Sequence, residues 1–149
     1  MEMTGEQIVP IPQQKTWEAL NDLSVLKASI PGCESIEQTG DNEFQVTMQA
    51  KIGPVSAKFK GKMTLSDIDP PNGYSIGFEG QGGVAGFAKG EARVALSADG
   101  AQTRLAYTAN AQIGGKLAQI GSRLIDGAAR KMADQFFTSF NRHVSATGN

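Results

Sequence analysis

One imidazole, one thiol and a scatter of carboxylates are all that this chain of 149 residues offers to nucleophilic, acid–base or metal chemistry. His143 is the sole histidine, six residues from the end, where chains fray. A Ser-His-Asp or Cys-His engine has to run through that ring, so hydrolysis of this kind is not expected. Cys33 is the sole cysteine, which excludes an intrachain disulfide and any zinc site built on two thiolates. Glu79 and Glu91 fall on outward strand phases and Asp67, Asp69 and Asp99 at strand ends, away from an apolar wall that could lift a carboxyl pKa toward neutrality. Tyr107 is the inward polar tip, and its hydroxyl is expected to satisfy a buried backbone group rather than to pass a proton. The glycines at 80, 82, 83 and 86 form neither a dinucleotide fingerprint nor a P-loop. No catalytic residue, metal or covalent cofactor is therefore expected. Lys58, Lys60 and Lys62 make a basic ridge that reads as a solvated strand face. With 14 Lys plus Arg against 15 Asp plus Glu, the net charge of -1 gives no general attraction for nucleic acid.

The elements that must position these residues follow from periodicity. A chain of this length is expected to bury about 68–70% of its extended surface around one core, so residues 1–149 are read as one domain, with an ordered core to about residue 142. An extended piece, Glu2 to Ile11, ends at Pro10-Ile11-Pro12, and its inward phase is open between Met3, Gly5, Val9 and Ile8, Pro10. Two short helical patterns follow, Gln13 to Asn21 and Asp22 to Pro31. From Cys33 the period becomes two, and six strands follow one another through turns at Gly40-Asp41-Asn42, Gly53-Pro54, Pro70-Pro71-Asn72-Gly73, a glycine-rich corner and Ala98-Asp99-Gly100. Hairpins without intervening helices make an antiparallel meander. Lys116 to Arg142 reads as one long helix. No apolar run reaches about 18 residues, and the first residues lack the basic stretch of a signal peptide, so a cytoplasmic protein is expected.

This order is that of the α+β helix-grip fold, a curved sheet wrapped around a terminal helix. The inward positions of its last strands are small, Ala88, Gly90, Ala92, Ala109 and Ala111, and they leave room unless large neighbours fill it. The candidate cavity wall takes Phe44, Met48, Phe59, Met63, Ile76 and Phe78 from the first strands, and Ala92, Val94, Tyr107 and Ala109 from the last. The helix adds Leu117, Ile120, Gly121, Leu124, Ile125 and Ala128, with Gly121 letting a ligand approach the backbone. Seven glycines between Asn72 and Gly90 either bend the strands or form a lip to the cavity with Phe87 as its tip. The same large residues can instead close a filled core. On a continuous helix Phe137 falls on the polar face, so Phe136, Phe137 and Phe140 become a candidate docking patch at the helix end.

The segments MEMTGEQIVPIPQQKTWEALND, LKASIPGCESIE, GFAKGEA and above all GGKLAQIGSRLIDGAARKMADQFFTSF resemble the CoxG family of carbon monoxide dehydrogenase subunits, within the START-like (SRPBCC) superfamily, over nearly the whole chain. The resemblance implies a non-catalytic accessory protein of a carbon monoxide dehydrogenase-type molybdenum hydroxylase. It implies recruitment of that enzyme to the inner face of the cytoplasmic membrane, and a quinone or lipid as a non-covalent ligand. Longer members carry an apolar C-terminal anchor; this sequence ends in His-Val-Ser-Ala-Thr-Gly-Asn, and anchoring by that route is not expected. Two rival functions share the fold: an assembly factor with a filled core, and a START-like cyclase or hydrolase, which needs a titrating group such as Glu91 or Asp67 on the cavity wall.

Overall fold

The computed structural model describes residues 1–147, with side chains through Ser145. β1 (Glu2–Val9) leads into α1 (Gln13–Leu20) and α2 (Leu23–Ser29). Six strands follow: β2 (Cys33–Gly40), β3 (Glu43–Ile52), β4 (Val55–Asp69), β5 (Gly73–Gln81), β6 (Phe87–Asp99) and β7 (Gln102–Gly114). α3 (Lys116–Gln119) and α4 (Ser122–Thr147) complete the order, and a single 3-10 turn, Gly83–Ala85, lies between β5 and β6. The sheet runs β1-β7-β6-β5-β4-β3-β2, antiparallel throughout, so β1 extends the meander beyond its last strand. This is the helix-grip arrangement expected from the sequence.

Local chemistry accounts for the elements. Pro12 stands just before α1, where its missing N–H leaves no helical bond unmade. Asp22 caps α2, its carboxylate accepting from the Ser24 amide at 2.9 Å and the Ser24 hydroxyl at 2.7 Å. Those two bonds hold the Asp22 carboxyl below the usual range. The strands keep the period-two phases read from the sequence. In β1 the open choice resolves toward Met3, Gly5 and Val9, because Val9 is buried while Ile8 faces out.

The terminal helix is not continuous. Gly121 adopts φ +98, a backbone region that side chains avoid, and splits the apolar pattern into the short α3 and the long α4. The break lets Leu117 turn down and plug one end of the sheet, where it is fully buried. α4 continues to Thr147, past the expected end at Arg142.

The core divides along α4. At the C-terminal end of the helix, Phe137, Phe140 and Val144 pack with Val9, Trp17, Tyr74, Val94, Leu96 and Leu105. Trp17 meets Tyr74 edge-on at 5.5 Å between ring centroids, and burial pushes the Tyr74 phenol up to about 12. Behind this cluster Thr103 donates to the Ile11 carbonyl at 2.7 Å and contacts the Thr16 hydroxyl at 3.0 Å, joining α1 to β7 through two fully buried hydroxyls. At the other end Phe59, Ala85, Leu117 and Ile125 form a smaller cluster. The functional question concerns the space between them.

Candidate functional site

Between the two clusters the sheet and α4 do not meet. They enclose a cavity of about 470 Å³, within the 300–1,000 Å³ range of ligand pockets. The cause is visible in the strand register. One row across the sheet reads Val46, Gly61, Gly80, Ala88, Ile113, each residue opposite the next. Its three central members carry one methyl group among them. The facing stretch of α4 presents Ala128, Ala129 and Ala133, so short side chains oppose short side chains. Met1, Met3, Met48, Met63 and Met132 line the sides, soft walls that adapt to an irregular guest. Lys62 and Glu79 also border the space, but both belong to the outward phase of their strands and offer main chain only. The interior is therefore apolar, and the filled-core expectation does not hold.

Of the residues expected on the wall, Met48, Phe59, Met63, Phe78, Ala109, Leu117, Ile125 and Ala128 line the cavity. Phe44, Ile76, Ala92, Val94 and Tyr107 share the inward phase of their strands but are not part of the lining. Val94 lies in the larger cluster, and Ile76 and Tyr107 pack against it. Tyr107 does so because Gly5 is its partner on β1: the phenol ring lies across that glycine and stacks on Phe137 at 5.6 Å. Its hydroxyl thus sits over Gly5, not in the cavity. Burial raises this phenol, with a smaller push from Asp134 opposed by Arg130. Ile120 packs beside the smaller cluster, Gly121 is exposed at the helix break with nothing near it, and Leu124 is 53% exposed. None of these three lines the cavity; Ile120 and Leu124 lie instead beside Gly53, in the turn between β3 and β4.

The aromatic trio is not a surface patch. Phe140 is fully buried, Phe137 is 9% exposed, and Phe136 borders the cavity. Phe136 stacks on Phe140 at 5.7 Å and meets Phe137 edge-on at 5.0 Å. A helical wheel presumes one covered face, whereas α4 packs on β1 and β3 and also on α2, and so buries a wider arc. The glycine corner is a closure, not a lip. Ala85 is tucked among Phe59, Leu117 and Ile125, Gly82 fits under the Phe59 ring, and Phe87 lies across Gly114. The exposed tip is Val84, at 86%.

Sequence reading missed Gly61 and Gly80 as the floor of the cavity, and Ala129, Met132 and Ala133 as its roof. The signal was present as inward-phase glycines in strands whose other inward residues are large. The polar groups make no reactive cluster. Glu91 and Asp67 are exposed, and among the described residues no three His, Cys, Asp or Glu side chains stand together. Lys58 and Lys62 of the basic ridge pair with Glu34 at 3.0 Å and Glu43 at 3.7 Å, both exposed. Burial pushes the Cys33 thiol up, against a smaller opposing effect of Lys27. No described helix is long and apolar enough to cross a membrane.

Known proteins share this geometry. A conserved protein from Geobacillus kaustophilus is 30% identical and superposes with a TM-score of 0.94, over 99% of this chain and 97% of that one. A START superfamily protein from Mycobacterium smegmatis, at 11% identity, gives 0.76 over 98% of both chains. The Zhui aromatase/cyclase from Streptomyces, at 12% identity, gives 0.71 over 100% of this chain and 96% of that one. The last two speak for the fold alone, which is START-like. No curated protein sequence matches significantly. The family model for CoxG, a carbon monoxide dehydrogenase subunit, matches residues 5–145.

Proposed function

Because the chain belongs to the CoxG family of carbon monoxide dehydrogenase subunits, we propose that it is a non-catalytic accessory protein of a molybdenum hydroxylase of that type and carries a hydrophobic small molecule, quinone- or lipid-like, in its cavity. The observation that supports this reading is a space of about 470 Å³ walled by aliphatic, thioether and phenyl groups. Such a wall can hold an apolar guest by burial and van der Waals contact but can neither donate nor accept a proton. No covalent or metal cofactor enters this role. The protein works in the cytoplasm, and peripheral contact with the membrane would let a lipophilic guest pass between bilayer and enzyme. Exposed Val84 and Leu124, at the end plugged by α3, offer apolar surface for that contact.

The test is direct titration with a fluorescent apolar probe and with decylubiquinone. Saturable binding in the micromolar range or tighter is expected, and Ala109→Phe, which projects a ring into the cavity, should abolish it while the protein stays folded by circular dichroism. Absence of saturable binding to both ligands overturns the carrier role.

A further inference from the structure

The cavity has a side opening whose chemistry differs from its interior. A second hollow of about 260 Å³ shares the walls Pro31, Met48, Ala50, Ala128 and Met132 with it, and adds Gln49, Lys51, Lys131 and Gln135. A mismatch of strand lengths creates it. β2 pairs with β3 only as far as Cys33 opposite Met48, and the last link across that edge is the Gln49 amide donating to the Gly32 carbonyl at 2.9 Å. β3 runs on to Ile52, paired with β4 on one side and with no strand on the side of β2. In an antiparallel ladder alternate residues turn their main-chain groups to the same neighbour. Gln49 faces β2, so the Lys51 amide faces the same way, into the gap between β3 and α4. Lys131 and Gln135 of α4 line the opposite side. Lys51, on the outward phase of β3, offers its main chain there, whereas Lys131 forms no ion pair among the described residues and no carboxylate lines the hollow.

We propose that this gap is the portal of the cavity and that it holds the head of an elongated amphiphile, an anion of the carboxylate or phosphate type, while the chain of that molecule lies among the alanines within. The proposal rests on the carrier reading above. A charged or strongly polar head cannot follow its chain inward, because the interior has no side-chain partner for it and desolvation is costly. At the mouth it meets the free main-chain amide of Lys51 and the ammonium of Lys131, and bonds to donors of this kind favour acceptor oxygens and disfavour a cation. The glycine corner cannot serve as the opening, since Ala85 and Phe59 close it.

Displacement of a neutral fluorescent probe by dodecanoate, dodecyl phosphate and dodecylammonium tests this. The wild-type chain should prefer the better of the two anions to dodecylammonium by about tenfold or more, a step of one decade in Kd, and the tighter anion names the head group. Lys131→Glu should reverse the preference, and Lys131→Gln should weaken it. Both variants change one exposed residue and should keep the neutral probe's affinity. A nitroxide placed beside the carboxylate of dodecanoate should broaden the amide signals of Gly32, Lys51 and Gln135 and spare Gly83. Equal affinity for all three heads, unchanged preference in the variants, or broadening at Gly83 instead overturns the portal while the neutral probe still binds. Failure of the neutral probe itself overturns the carrier reading.

Discussion

Gly61 and Gly80 face each other across β4 and β5 on the cavity floor, and filling them should make the protein more stable and less able to bind. A Cβ built on Gly61 meets nothing closer than the Glu79 carbonyl oxygen at 3.6 Å, and one on Gly80 nothing closer than the Ala88 carbonyl oxygen at 3.9 Å. Both are ordinary van der Waals contacts, and neither glycine needs a positive φ. In Gly61→Val or Gly80→Val the new isopropyl group therefore enters empty space. Burial of a valine side chain stabilises by about 1.5 kcal/mol at the low end of its range, and removing a glycine from a strand interior adds about 0.5–1 kcal/mol. Each variant should gain roughly 2 kcal/mol, which at this chain length raises Tm by about 4–8 °C. Had the floor been packed, overfilling would cost about 1–3 kcal/mol, so the sign alone decides. Thermal denaturation followed by circular dichroism gives the stability, and titration with the apolar probe gives the affinity. A lowered Tm in both variants, or a raised Tm with wild-type affinity in the double variant, refutes the claim that this space is empty and is the binding site.

Other consequences can be checked on the same material. Gly121 has φ +98 with nothing within 4 Å of a built Cβ, so Gly121→Ala should cost about 1–2 kcal/mol through backbone strain alone, whereas Gly127→Ala, equally uncrowded but inside α4, should gain up to about 1 kcal/mol; denaturant melts of the pair separate the two causes. Replacing Thr103 by Val removes its bonds to the Ile11 carbonyl and the Thr16 hydroxyl, while Thr16 still reaches the Pro12 carbonyl at 3.0 Å and the Ile11 carbonyl at 3.3 Å, and should destabilise by about 0.5–1.5 kcal/mol in the same melts. The Tyr74 phenol is raised in the folded state, so its neutral form is the stable one: its contribution is complete below the unfolded pKa near 10 and falls as pH rises toward about 12. Stability measured across that window should decline in the wild type and less steeply in Tyr74→Phe, and identical slopes count against the assignment.

The strand phases were legible because a period of two names the face of each residue without reference to any distant contact. Phase does not say how far along the helix axis a residue lies, which is why Ile76, Val94 and Tyr107 face the concave side yet belong to the cluster around Phe137 and Phe140. The break at Gly121 was hidden by the apolar residues Leu117, Ile120 and Leu124, which keep helical spacing across it although the backbone does not. Phe137 was assigned to solvent because its cover, the Tyr107 ring of β7, is a tertiary contact that a helical wheel cannot contain. The cavity itself was half visible. Small residues in β6 and β7 announced it, but its floor depends on Gly61 standing opposite Gly80 and Gly80 opposite Ala88, a register that only the paired strands reveal. The portal depends on β3 outrunning β2, which composition does not encode.

Chemical-shift mapping of the amides during titration with decylubiquinone tests the carrier function most directly. Saturable shifts centred on Gly61, Gly80, Ala109 and Ala133, the floor and roof of the cavity, are the predicted result. Shifts confined to Thr64, Gly77 and Glu91 on the opposite face of the sheet, or none at saturating ligand, would contradict it.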